Sequence, residues 1–186
     1  MAGESRFELI GRFLFRHRAL AGFAGYLVAF WLGRPTPASC AVAAAPFLAG
    51  LGLRFWAMGY IGGAARAGEV GAERLVKQGP YRWFKTSRRA PAGHPLYFGN
   101  FLLVVAMLVA LWPPVLLGLL VVGLFLVMYG TIARAEERLL ARRFRDAPVE
   151  KTAFELRRTG PELATWAVSL AGYGFALAKA LLWSTG

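Results

Sequence analysis

The chain has almost no cysteine or histidine and is short of charge. Cys40 is the single cysteine, so neither an intrachain disulfide nor a cysteine-rich metal centre can form. His17 and His94 are the only histidines, and no His/Cys spacing of a metal-ligand kind exists, so no metal site is expected. Charged residues fill 17% of the 186 positions, fewer than a soluble domain of this length carries. Internal repeats and low-complexity tails are missing as well. No G-x-G-x-x-G turn follows a strand-like run, which disfavours a nicotinamide site of the soluble type.

What the chain has is apolar length. Hydrophobic residues make up 57% of it, and they come in long blocks at 19–33, 38–62, 95–112, 114–133 and 163–183. A spanning helix needs about 20 mostly apolar residues, so the first and third blocks must recruit flanking residues, such as 13–18 for the first. Pro35 and Pro37 break the chain between the first two blocks. Trp112-Pro113-Pro114 does the same between the third and fourth, with Trp112 suited to a membrane interface. The expected fold is all-α: a polytopic membrane helix bundle of about five transmembrane helices, in one domain over 1–186. Cys40, inside an apolar stretch, reads as a small packing residue.

The formal net charge of +12 raises nucleic acid as a partner. Its distribution argues otherwise, because the basic residues sit between apolar blocks rather than along one stripe. Arg6, Arg12, Arg16 and Arg18 precede the first block. Further clusters follow the second and fourth blocks, whereas the other side has only Arg34 and Lys179. The positive-inside rule then makes the N-terminus and both basic loops cytoplasmic. A bacterial inner membrane is the expected setting, and the cationic face would attract anionic headgroups. Arg16-His17-Arg18 and the run up to Cys40 loosely imitate a signal peptide. Pro37 three residues before Cys40 and the continuing apolar run argue against cleavage.

Three strings place polar groups at the ends of apolar blocks: Gly79-Pro80-Tyr81-Arg82, then His94-Pro95-Leu96-Tyr97-Phe98-Gly99-Asn100, then Glu136-Glu137. Such groups are costly in a bilayer and commonly mark a site. Pro95 suits a helix's first turn, which puts His94 at its cap. Gly99 permits close approach to the backbone, and Tyr97 and Asn100 offer hydrogen bonds that lipid cannot satisfy. A bland alternative is an interfacial cap. Glu136 and Glu137 are consecutive, so on a helix they point about 100° apart and cannot face one ligand equally. One of them is expected to pair with an arginine, and a solvated helix end pairing with Arg134 or Arg138 is the bland alternative. Arg54 lies inside the second block, where an arginine costs about 2.5–3.5 kcal/mol on insertion scales. It either snorkels some 12 Å to the interface or has a buried partner such as Glu136 or Glu137.

The order GPYR, HPxYxGN, EE, with Leu53-Arg54-Phe55-Trp56-Ala57 before it, resembles the isoprenylcysteine carboxyl methyltransferase family and the related membrane phospholipid methyltransferases. The resemblance runs from about 53 to 144 and leaves the last block, about 163–183, as an addition. It implies methyl transfer from S-adenosylmethionine to a lipophilic membrane acceptor, either a prenylcysteine-like carboxylate or a phospholipid amine. Arg82, Tyr81 and Glu137 would then serve catalysis. His94, Pro95, Tyr97, Gly99, Asn100, Glu136 and Glu137 would hold the cofactor. A membrane reductase using a nicotinamide cofactor and a non-catalytic protein of the same fold are the other two readings.

The chain also departs from the family pattern. In related sequences GPYR runs almost directly into Arg-His-Pro, whereas here 83–93 intervene and Gly93 replaces that arginine. Arg88 or Arg89 could supply the cation instead, or Arg82 could serve alone. Leu140 and Phe144 fit the family's continuation after Glu137, but Arg145, Ala147 and Pro148 stand where a glycine and tyrosines usually follow. Residues 83–93 are expected to form a lid over the site with their two ends close together, or a basic insertion that only touches headgroups.

Overall fold

A computed structural model of the protein describes residues 6–62, 76–85, 93–143 and 152–184. Five helices account for most of them: α1 (Arg6–Leu32), α2 (Pro37–Ile61), α3 (Pro95–Leu111), α4 (Val115–Arg143) and α5 (Glu162–Ser184). Short 3₁₀ turns occupy Gly79–Arg82 and Leu156–Thr159, and no strand is present among the described residues. The fold is an all-α membrane bundle. By length and composition α2, α4 and α5 can each cross a bilayer, and α3 is a shorter apolar helix of 17 residues. Helix α1 begins well before its apolar block. Arg12, Arg16 and Arg18 are carried within it, and arginine has high helix propensity. Arg18 hydrogen-bonds the Phe15 carbonyl, and its guanidinium lies 3.6 Å over the Phe15 ring, so the charge is met by a carbonyl and an aromatic face.

The breaks fall where the prolines stand. Thr36 caps α2 in a reciprocal pair with Ser39, each side-chain oxygen 3.0 Å from the other's backbone N–H, and Pro37 opens the helix. Helix α3 ends at Trp112, exposed and in the left-handed region at φ 48°, just before Pro113 and Pro114.

Small residues set how the helices approach. Helices α2 and α3 form the central antiparallel pair and cross at Gly50 and Gly99. A Cβ on Gly99 would lie 2.5 Å from Arg54 Cγ and 3.2 Å from the Gly50 carbonyl oxygen, so only glycine fits. At the other end Ser39 donates to the Ala110 carbonyl at 2.8 Å, beside a core of Ala43, Ala110 and Leu111 in which Cys40 is indeed a buried packing residue. Helix α5 runs antiparallel to α2. Arg54 meets Glu162 at one end, Tyr173 bonds the Cys40 carbonyl midway, and Lys179 donates to the Phe30 and Gly33 carbonyls at 2.5 and 2.9 Å at the far end. Helix α1 lies against α4, with Gly11 beside Ala135.

This alternation gathers the end of α2, Gly79–Arg82, the start of α3, the end of α4 and the start of α5 at one end of the bundle. Ser184 lies at the opposite end. In a Cys40→Ala background, Lys85→Cys and Ser184→Cys are expected to label from opposite sides of the membrane. Labelling of both from one side contradicts this arrangement.

Candidate active site

Pro95 takes the first position of α3, and His94 takes the cap position at φ −117°, ψ 61°, without a side-chain capping bond. Its ring therefore remains available to α4. His94 Nε2 lies 3.2 Å from Glu137 Oε1, and Nδ1 lies 3.5 Å from Glu136 Oε2. One turn into α3, Tyr97 donates its hydroxyl proton to Glu136 Oε2 at 2.7 Å and stacks on His94, the rings 5.2 Å apart and 1° from parallel. The two acids thus converge on one group although they are consecutive on a helix. An imidazole has nitrogens on two sides and spans their divergence. Glu136 is thus held by His94 and Tyr97.

Deeper in the bundle, Asn100 Nδ2 donates to the Tyr129 hydroxyl at 3.0 Å, and Asn100 Oδ1 accepts from Arg54 Nη1. Arg54 neither snorkels nor pairs with Glu136 or Glu137. Its Nε and Nη2 donate to the two oxygens of Glu162 at 3.0 and 2.7 Å, and Nη2 also lies 3.4 Å from Thr165. The correction has a geometric cause. Helix α5 is antiparallel to α2, so its first turn lies level with the last turns of α2, and a carboxylate there meets the planar guanidinium edge-on. Arg54 is 9% exposed and Glu162 only 1%. Burial at this depth requires such pairing. Sequence reasoning missed Glu162, Thr165 and Tyr129. The signal was a mid-helix arginine at the height where an even number of crossings brings α5's acidic first turn.

Tyr81, within the Gly79–Arg82 turn, is buried against Ala57, Val76 and Leu96. Its hydroxyl has no hydrogen-bond partner among the described residues. Burial first, and then the charge of Glu136, raise its pKa far above the usual phenol range. It is therefore a protonated donor at any physiological pH. Arg82 is exposed, with its guanidinium 5.6 Å over the Trp83 ring.

The ends of the 83–93 excursion are tied together, as the sequence led us to expect. Gly93 N–H donates to the Tyr81 carbonyl and His94 N–H to the Phe84 carbonyl, both at 2.7 Å. A Cβ at Gly93 would lie 2.7 Å from the Tyr81 carbonyl oxygen and 2.9 Å from the Phe84 carbonyl carbon, all immovable backbone. That closure leaves no room for the arginine that the resemblance leads one to expect before His94. Arg88 and Arg89, the body of the expected lid, and Phe144, Arg145, Ala147 and Pro148 lie outside the described residues.

Between α3 and α4 runs an apolar groove of about 490 Å³, lined chiefly by Trp83, Phe84, Phe98, Phe101, Phe125 and Tyr129. His94 and Tyr97 form its polar wall, and Lys85 also borders it. A polar cluster of acids, imidazole and phenols therefore adjoins a slot suited to a hydrocarbon chain.

Residues 42–142, more than half of the chain, match the model of the isoprenylcysteine carboxyl methyltransferase (ICMT) family. The chain belongs to that family. It is a family of membrane methyltransferases, and this member is an integral membrane protein of the same kind. The matched segment starts before the 53 anticipated from the motifs. It includes Arg54, Tyr81, 94–100 and the Glu136-Glu137 pair, and it stops short of Glu162 and all of α5. No curated protein and no solved structure matches the chain.

Proposed function

We propose that the protein transfers a methyl group from S-adenosylmethionine to a lipophilic acceptor, a prenylcysteine-like carboxylate or a phospholipid amine. The reaction would take place at the cytoplasmic face of the membrane, in a bacterial cell the inner membrane. The observation that carries this reading is the convergence of Glu136 and Glu137 on His94 and Tyr97 beside the aromatic groove. The residues fit the cofactor. A carboxylate pair suits the ammonium of its methionine end, and the orphaned buried Tyr81 hydroxyl is a donor awaiting an oxygen. When bound, S-adenosylmethionine supplies an already activated methyl group, so the protein need perform little acid–base chemistry.

The chain's own residues hold, orient and keep the site dry. Glu136 and Glu137 would exchange His94 for the cofactor's ammonium. Pro95 sets the start of α3, and Gly99 leaves room for Arg54, so Tyr97 and Asn100 point into the same space. The groove would take the acceptor's hydrocarbon chain and exclude water from the reacting end. A carboxylate acceptor is ionised and needs a cation such as Arg82 or Lys85 at the groove mouth. An amine acceptor must lose a proton, for which Glu137 is the available base.

Titration of Glu136→Gln and Glu137→Gln with S-adenosylmethionine tests the reading. Removing a charge-assisted hydrogen bond to a charged group costs about 1.5–3 kcal/mol, so affinity is expected to fall about ten- to more than a hundredfold in at least one variant. Unchanged affinity in both folded variants removes these residues from the site. S-Adenosylhomocysteine is expected to raise the melting temperature of the wild type, and NADPH to leave it unchanged.

A further inference from the structure

We infer that Glu162, on a helix beyond the family-matched segment, is a positioning residue for the cofactor site: acting through Arg54, it fixes the amide of Asn100. This rests on the methyltransferase reading above. The geometry is a chain of contacts across four helices. Glu162 takes two N–H groups along one edge of the guanidinium, at 3.0 and 2.7 Å. That grip leaves Nη1 facing α3, where it donates to Asn100 Oδ1. The stem of Arg54 crosses α3 over Gly99, with Arg54 Cγ 2.5 Å from where a Cβ there would sit. The guanidinium consequently arrives one residue further on, at Asn100.

An arginine can only donate, so Asn100 must turn its oxygen toward α2. Its Nδ2 then faces α4 and donates to Tyr129 at 3.0 Å. The amide is held at both ends and cannot flip. Without Glu162 the guanidinium keeps only the 3.4 Å contact with Thr165 on its far edge, and the long arginine side chain regains rotamer freedom. Asn100 would then lose its orientation although nothing in its own helix had changed. The family motif supplies Asn100 and Arg54, while α5 supplies the group that orders them.

Two variants and a cycle test this in the purified full-length protein. Glu162→Gln weakens the grip but leaves a buried guanidinium uncompensated and can fail to fold. The double variant Arg54→Leu/Glu162→Leu removes both charges, and apolar replacement of a buried ion pair is commonly neutral or stabilising. Its melting temperature is expected at or above that of the wild type. Its affinities for S-adenosylmethionine and for S-adenosylhomocysteine are expected to fall equally, about tenfold. Equal loss excludes a direct electrostatic role at the sulfonium, which S-adenosylhomocysteine lacks, and the cycle with Asn100 separates the amide from the amino-acid end that both ligands share. Adding Asn100→Ala to the double variant should bring no further loss beyond that of Asn100→Ala by itself.

Wild-type affinity in the double variant, loss confined to S-adenosylmethionine, or additive loss with Asn100→Ala would each overturn the inference. Failure of the double variant to fold would also overturn it, by making the pair a requirement of the bundle rather than of the site. Absence of binding by the wild type is a separate outcome, which overturns the methyltransferase reading and this inference with it.

Discussion

Glu162→Ala alone is expected to lower the stability of the folded protein by about 3–5 kcal/mol, the cost of leaving one member of a buried ion pair without the other. Arg54 is 9% exposed, and in the variant it keeps only neutral partners, Asn100 and Thr165. Its route to water is the roughly 12 Å from its position to the helix end, at 1.5 Å per residue. That path passes Ala57, Met58 and Gly59, all buried in packing. Domain stabilities are typically about 5–15 kcal/mol, so such a loss consumes a large share of the total. Equilibrium unfolding in detergent micelles measures it. The double variant Arg54→Leu/Glu162→Leu should recover most or all of the loss, since it leaves no charge to solvate. If Glu162→Ala unfolds within about 0.5 kcal/mol of wild type, the range of ordinary surface substitutions, the pair is not buried in solution as it is here.

The second large effect is expected from restoring the family's arginine at Gly93. By sequence comparison, Gly93→Arg looks like a repair. By geometry it is an obstruction, because the new Cβ would stand 2.7 Å from the Tyr81 carbonyl oxygen and 2.9 Å from both the carbon and the oxygen of the Phe84 carbonyl. Those neighbours are backbone and cannot rotate away. Overpacking of this kind costs about 1–3 kcal/mol. The least costly relief is to part the two hydrogen bonds that close the excursion, Gly93 to Tyr81 and His94 to Phe84. His94 would then no longer be held opposite Glu136 and Glu137, and Tyr81 would lose its fixed place under α2. The expected readout is faster amide hydrogen exchange at His94, with at least tenfold weaker binding of S-adenosylhomocysteine and a small change in global melting. Unchanged exchange at His94 would show that the closure accommodates a side chain. Gly93→Ala should give the same pattern in weaker form, because it adds the clashing atom without the rest of the arginine.

Much of this architecture is legible without coordinates. Long apolar blocks, prolines at 35, 37, 113 and 114, and basic residues gathered into alternate connections mark a helical bundle in a membrane. The reason is that a bilayer leaves the backbone few options: its polar groups must pair within each segment. His94, Tyr97, Asn100, Glu136 and Glu137 stand out as candidates too, because polar groups there need partners that lipid cannot offer. The matched family segment, 42–142, covers all five.

Partner choice was not legible, because it depends on how helices lie beside one another rather than on what each contains. Arg54 plainly needed a carboxylate, and the sequence offered Glu136 and Glu137 as the evident pair. Tertiary structure assigned Glu162 instead, since antiparallel packing sets the first turn of α5 level with the last turns of α2. It likewise assigned both Glu136 and Glu137 to His94, because an imidazole with two nitrogens spans the angle that periodicity alone placed between them. Gly93 is the same lesson in the backbone. The sequence records a missing arginine, whereas packing shows that a carbonyl and a neighbouring turn already fill the place of any side chain. The chain's chemistry determined which groups needed partners, and the distances between helices, which no one-dimensional pattern carries, decided which partners they found.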